Sequence, residues 1–268
     1  MSAPPAPVVL LTDFGLSDPY VGQMKGSLLS HAPEARIVDL SHQVEPYNIL
    51  QAGFYLAASR AHFPPGTVFI AVVDPGVGGD RRIVLLEKFG QRFLAPDNGL
   101  LGLTAASGGP GILRDVSPPW RGQSSATFHG RDLFAPLAAR LVRGESPHAL
   151  GEEVNPHSLV RLPGCEPVRT PERVRATVLH VDHFGNCILN LDIPGWQASL
   201  AKARHLSMTS GQTSGLRPAV TYSSLEPGEV GIIAGSQGYL ELAMNQDSAA
   251  ARLGLTPGNT LDILLEKR

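Results

Sequence analysis

Between Val8 and Val142 the chain alternates short apolar strands with amphipathic helices, and few folds accept that rhythm. Val8–Leu11 is an apolar run that ends in Thr12-Asp13. A helix follows, with Ser17 placed as its N-cap and Val21, Met24 and Leu28 on one face. Arg36–Leu40 reads as a second strand. Asn48 caps a second helix that runs to about His62, where Pro64-Pro65-Gly66 stops it. Val68–Val73 reads as a buried strand, Ile83–Glu87 and Arg92–Ala95 as a hairpin, Ile112–Val116 as a strand and Arg131–Val142 as a helix. The pattern predicts an α/β domain over residues 1–160, with a largely parallel sheet between helices.

The second half has a different texture. Residues 161–173 hold three prolines, a glycine and mixed charge, and read as a linker. Residues 174–268 carry short strands at Ala176–Val181, Cys187–Leu191, Glu229–Ile233, Tyr239–Ala243 and Leu261–Leu265, separated by turns rich in Gly, Asn and Pro. Only Ser248–Leu253 looks helical. Such a series predicts a small antiparallel β-barrel or sandwich.

Composition excludes several functions. A formal net charge of −2 gives no basic field for nucleic acid or anionic lipid. No apolar stretch approaches a membrane-spanning length, and Met1–Pro7 lacks the marks of a signal peptide. Two cysteines, Cys165 and Cys187, make neither a disulfide framework nor a zinc site alone, so a cytoplasmic protein with reduced thiols is expected. No HExxH or paired-cysteine motif occurs, and no metal is expected; no Walker A sequence is present.

Five polar segments sit where strands end. Thr12-Asp13-Phe14-Gly15 closes the first strand; Asp13 there suits a ribose diol, or an Asx-turn leading into a helix. Asp74 leaves an apolar strand into Pro75-Gly76-Val77-Gly78, and Arg81 is placed to fold back onto it, as a functional pair or as the ion pair of a tight turn. His129, in Thr127–Asp132, stands at a helix start, where the dipole favours neutral imidazole, for catalysis or for capping. Asp182–Asn186 reads as a hairpin turn whose Asp182 and Asn186 are free to meet a polar ligand. Gly235-Ser236-Gln237-Gly238 offers backbone N–H groups to a carboxylate, or is simply a turn.

The order of LTDFG, VVDPGVG followed by Arg, APDNGLL, FHGRD, DHFGN and GSQGYLELAMN resembles the S-adenosyl-L-methionine hydroxide adenosyltransferases, the adenosine-forming SAM hydrolases related to fluorinase and chlorinase. The likeness runs from about Val8 to the C-terminus. It implies an α/β domain followed by a β-barrel, assembled as a homotrimer with sites at subunit interfaces. It implies hydrolysis of S-adenosyl-L-methionine, the substrate, by attack of water or hydroxide at C5′, with no cofactor. By motif, the water-positioning set falls on Asp74, Arg81 and His129, with Arg82 as the neighbouring alternative for the arginine. Asp13 matches the ribose-binding Asp, and Asn98, Asp182, Asn186 and Ser236 match further substrate-binding positions.

The halogenases of the resemblance carry Tyr where this chain has Asp74, and they lack the His at position 129. A carboxylate on the attack line repels halide and accepts a hydrogen bond from water. Gln237 stands where fluorinase has Arg, which removes a charged clamp from the methionine carboxylate. Rival readings are a 5′-halogenase, a non-catalytic SAM or adenosine sensor, and a nucleoside hydrolase that would release free adenine.

Overall fold

β1 (Val8–Thr12) is buried along its whole length, and its side chains alternate between two cores. Val8 and Leu10 pack with Met24 and Leu28 of α1 (Tyr20–His31), while Val9 and Leu11 pack with Ala52 and Leu56 of α2 (Ile49–Ser59). A strand apolar on both faces belongs in the middle layer of a helix–sheet–helix sandwich. The computed structural model describes residues 6–117, 125–170, 173–196, 203–209 and 213–267. The chain divides into two compact units, Met1–Leu162 and Pro163–Arg268.

The first unit adds β2 (Ile37–Ser41), β3 (Val68–Val72), β4 (Ile83–Lys88), β5 (Gln91–Pro96), β6 (Ile112–Asp115) and β7 (Glu152–Val154). The sheet order is β2-β1-β3-β5-β4-β6-β7. The first four strands are mutually parallel; β4 runs antiparallel to β5, β6 to β4 and β7 to β6. The sheet is therefore mostly parallel, with only β4 and β7 reversed. Two further helices are α3 (Gly102–Ala106) and α4 (Ala135–Val142), the latter entered through a π-type turn at Gly130–Phe134.

Helix starts differ in their caps. The Asn48 side chain accepts from Gln51 N at 3.0 Å, so the expected cap of α2 is present. The expected cap at Ser17 is not: α1 begins at Tyr20 behind Pro19, with no side-chain cap. Proline fixes φ for the entry and donates no N–H, so the helix starts beyond it without a hydroxyl partner.

The second unit comprises β8 (Val168–Arg169), β9 (Arg173–Val181), β10 (Cys187–Asp192), β11 (Ala203–Thr209), β12 (Thr213–Ala219), β13 (Gly231–Ala234), β14 (Tyr239–Ala243), α5 (Ala249–Leu253) and β15 (Thr260–Lys267). Seven strands close a ring, β9-β10-β14-β13-β12-β11-β15 and back to β9, with β8 added outside β9. All neighbours in the ring are antiparallel except β12 and β13, which run parallel. Val174, Ala176 and Val178 point alternate residues of β9 inward against Leu189, Met208, Ile232 and Leu242. Within the segment read as a linker, β8 and the first residue of β9 are already strand. The Ser248 hydroxyl caps α5 by accepting from Ala251 N at 3.0 Å.

Candidate active site

β1 hands the chain to β2 on one side, and α2 returns it to β3 on the other. Strand order therefore reverses between β1 and β3, where an open α/β sheet forms its ligand crevice at the carboxyl ends of the strands. Thr12 and Val72, the last residues of these two strands, are paired in register. Asp13 follows Thr12 directly and Asp74 follows Val72 after one residue, so both leave the same edge of the sheet.

The Arg81 guanidinium clasps Asp74: Nε donates to Oδ1 at 2.9 Å and to Oδ2 at 2.8 Å, and Nη2 forms a close ion pair with Oδ2. Both side chains are largely buried, 10% and 4% exposed. Such a fork-shaped contact is stronger and more directional than a single-point pair. Arg81 Nη2 also donates to His129 Nδ1 at 2.9 Å. His129 is 2% exposed and stands at the mouth of the π-type turn before α4, an irregularity that re-aims the side chains around it. The neighbouring Arg82 faces elsewhere. Its Nε donates to Asp97 Oδ2 at 2.9 Å and its Nη2 to Ser158 O at 2.9 Å.

Two glycines let these segments meet. Gly78 has φ +82°, and a Cβ there would lie 2.5 Å from Ala126 O, so the loop after Asp74 fits under the segment before His129 only without a side chain. A Cβ on Gly130 would meet the Phe14 ring at 3.1 Å. Phe14, Tyr20 and Phe128 form an edge-to-face trio, with centroids 5.3 to 6.2 Å apart, that joins the Asp13 segment to the His129 segment.

Asp13 is half-buried, and its Oδ2 accepts from Tyr47 N at 2.9 Å. The preceding Thr12 hydroxyl bonds His42 Nδ1 at 2.8 Å, and Gly15 N donates to His42 O at 2.8 Å, which fixes the turn. Asn98 lies at the same edge, after β5. Its Nδ2 donates to Val73 O at 2.8 Å, and its Oδ1 accepts from Leu100 N at 3.3 Å. In the α/β unit the structure thus brings Asp74, Arg81 and His129 into contact, with Asp13 and Asn98 on the same edge.

In the barrel, Asp182 organises its own turn. Its Oδ1 accepts from Phe184 N at 2.9 Å and Asn186 N at 2.8 Å, and its Oδ2 from Asn186 Nδ2 at 2.9 Å. The turn with Ser236 is closed by Gly238 N donating to Gly235 O at 3.1 Å, and Ser236 and Gln237 are exposed on it.

Sequence reasoning missed the residue beneath that turn. Glu241 is 4% exposed, and a Cβ on Gly235 would lie 2.6 Å from its Oε2. Its Oε1 accepts from the Tyr222 hydroxyl at 2.5 Å. Burial pushes the Glu241 carboxyl up, the Tyr222 bond opposes this, and the charge of Asp182 adds to it. Tyr222 is pushed up to about 12, first by its bond to Glu241 and then by burial and the nearby carboxylates. The available signal was a lone Glu inside the apolar strand Tyr239–Ala243. Among the described residues, no three His, Cys, Asp or Glu side chains are grouped to hold a metal ion. No helix among them is long and apolar enough to cross a membrane.

Residues 8–151 match the family model described as the SAM hydroxide adenosyltransferase N-terminal domain, and residues 176–262 match the corresponding C-terminal domain. A relative from Salinispora arenicola named (R)-S-adenosyl-L-methionine hydrolase is 38% identical over 260 residues, covering 94% of this chain and 95% of its own. A fluorinase from Nocardia brasiliensis is more distant, 26% identical with 96% of each chain covered. A crystal structure of an uncharacterized conserved protein from Thermotoga maritima superposes with a TM-score of 0.84 at 33% identity, over 96% of this chain and 99% of that one.

Proposed function

The chain belongs to the SAM hydroxide adenosyltransferase family, and on that premise we propose that it hydrolyses S-adenosyl-L-methionine to adenosine and L-methionine. The observation that carries the reading is the contact of Asp74, Arg81 and His129 at the switch-point edge of the sheet.

The sulfonium departs as a neutral thioether, so the reaction needs no acid on the leaving group. What it needs is a water molecule in line with the C5′–S bond. Asp74 accepts a hydrogen bond from that water through a carboxylate lone pair left over by Arg81. As the C5′–O bond forms, the incoming oxygen becomes an oxonium, far more acidic than a carboxylic acid, and its proton passes to Asp74. Holding water at the attack distance contributes on the order of 7–11 kcal/mol. Arg81 locks the carboxylate against rotation. His129 accepts from Arg81 Nη2, the same nitrogen that pairs with Asp74, and so fixes the guanidinium beside the carboxylate. An anionic Asp74 disfavours halide at the same point, which separates this chain from a halogenase.

Asp13 takes the ribose diol in this reading, and Asp182, Asn186 and Ser236 take the rest of the substrate. As the family resemblance implies, we read the assembly as a homotrimer with sites at subunit interfaces. Cys165 and Cys187 are both buried and form no disulfide, which suits a reducing compartment, and we place the enzyme in the cytoplasm.

The relatives' name specifies an (R) centre. L-Methionine is S at its α-carbon, so the descriptor falls on the sulfonium, a stable pyramidal stereocentre. We therefore take the (R)-sulfonium epimer as the preferred substrate. Incubating the protein with each epimer in ¹⁸O-labelled water, with and without chloride or fluoride, tests the proposal. Adenosine labelled in its 5′-hydroxyl and unlabelled methionine are expected, faster from the (R) epimer and unaffected by halide. A 5′-halo-adenosine, free adenine or unlabelled adenosine would each overturn it.

A further inference from the structure

β5 lies between β3 and β4, so the segment that joins β3 to β4 must cross the end of β5. That segment, residues 73–82, carries Asp74 at one end and Arg81 at the other. β5 finishes beneath it in Asp97-Asn98, and each of these two residues holds one end. Asn98 Nδ2 donates to the carbonyl of Val73, the residue before Asp74, at 2.8 Å. Asp97 holds Arg82, the residue after Arg81, twice. Its Oδ2 accepts from Arg82 Nε at 2.9 Å and Nη2 at 2.5 Å, and its backbone N donates to Arg82 O at 3.0 Å. The remaining Oδ1 of Asp97 accepts from Val160 N at 2.9 Å, and Arg82 Nη2 also donates to Ser158 O at 2.9 Å, so residues 158–160 brace the clamp from outside. The Asp97 side chain is 3% exposed.

We propose that Asp97 and Asn98 are positioning residues of the reaction, a two-point clamp that sets the spacing of Asp74 and Arg81 by holding Val73 and Arg82. The proposal rests on the hydrolase reading and gives Asn98 a role other than substrate contact. The Asp74–Arg81 contact closes a loop containing three glycines, Gly76, Gly78 and Gly79, which by itself has wide conformational freedom. A loop of that kind keeps a carboxylate in place only if its ends are fixed. A displacement of about 1 Å at a reacting centre costs on the order of a hundredfold in rate.

Steady-state kinetics on Asn98→Ala and Arg82→Ala test this; Arg82 is 29% exposed, so its truncation does not depend on repacking the core. Each variant is expected to lower kcat by about 10- to 100-fold with KM for S-adenosyl-L-methionine and Kd for adenosine within about twofold. In an Asp74→Asn background the same substitutions should cost less than about threefold, because there is no longer a carboxylate to position. A tenfold rise in KM or Kd at unchanged kcat would make Asn98 a substrate contact. Wild-type kcat in both variants, or equal losses in both backgrounds, would also overturn the clamp. A crystal structure of Asn98→Ala is independent of turnover: the Asp74 carboxylate should move by about 1 Å, and an unmoved pair rejects the clamp. Absence of adenosine from the wild-type protein sinks the hydrolase reading, and the clamp is then judged on that crystal structure.

Discussion

Arg81 Nη2 donates to His129 Nδ1 at 2.9 Å, and that contact decides the tautomer of the imidazole. A guanidinium has donors and no acceptor, so Nδ1 must be unprotonated and the proton of neutral His129 sits on Nε2. His129→Asn supplies an amide oxygen as acceptor in place of Nδ1 and should keep part of the activity, whereas His129→Ala supplies none and should lose more. Steady-state kinetics on both variants checks this; equal losses in kcat would show that the acceptor facing Arg81 does not matter.

In the proposed mechanism Asp74→Ala removes the acceptor of the water and His129→Ala removes one acceptor of Arg81, and neither side chain holds the nucleoside. Both variants are expected to bind adenosine as the wild type does and to lose about 10²- to 10⁴-fold in kcat. Calorimetric titration with adenosine, run beside adenosine-release kinetics, separates the two effects. Unchanged turnover in either variant removes that residue from the mechanism.

Gly78 couples stability to the same site. Its φ of +82° costs a non-glycine residue about 1–3 kcal/mol, and the Cβ would also press on Ala126 O. Gly78→Ala should lower Tm by about 2–4 °C for each kcal/mol lost, and kcat should fall with it because the Asp74 loop is pushed from the His129 segment. A variant with wild-type Tm and kcat would show that the loop does not need this close approach.

The parts of the fold legible in the sequence are those where local pattern and tertiary burial agree. Val8–Leu11 and Val68–Val73 are apolar on both faces because the sheet is covered on both sides. Asn48 reads as a cap because its side chain reaches the helix N–H groups without tertiary help. β11 escaped although Leu206 and Met208 alternate with polar residues, because the alternation spans only a few positions, and β12 escaped because Thr213–Pro218 holds a Gly, a Pro and Leu216 among polar residues; both pair into the ring. The seven-residue step from Asp74 favours Arg81 over Arg82, and the structure agrees; what no local spacing contains is that Arg82 goes to Asp97, because β5 lies beneath the crossing. Glu241 looked like an inconsistency in an apolar strand, and its partner Tyr222 is nineteen positions away.

Glu241 supplies the remaining prediction. Its carboxyl is raised above the ordinary Glu value, mainly by burial and further by the charge of Asp182. The folded protein therefore keeps this proton over a pH range in which the unfolded chain has released it. The folded state binds more protons there, so stability falls as pH rises from the unfolded Glu value through the raised folded one. Glu241→Gln removes the titration and leaves Oε1 to accept from Tyr222, whose ordinary phenol value of about 10 lies above the range tested. Tm of the variant minus that of the wild type should be smallest below the unfolded Glu value of about 4.3, should grow as pH rises above it, and should level off once pH passes the raised folded value. Differential scanning calorimetry across that range measures it. A difference that stays flat would mean that Glu241 is ionised as readily in the folded barrel as in the unfolded chain.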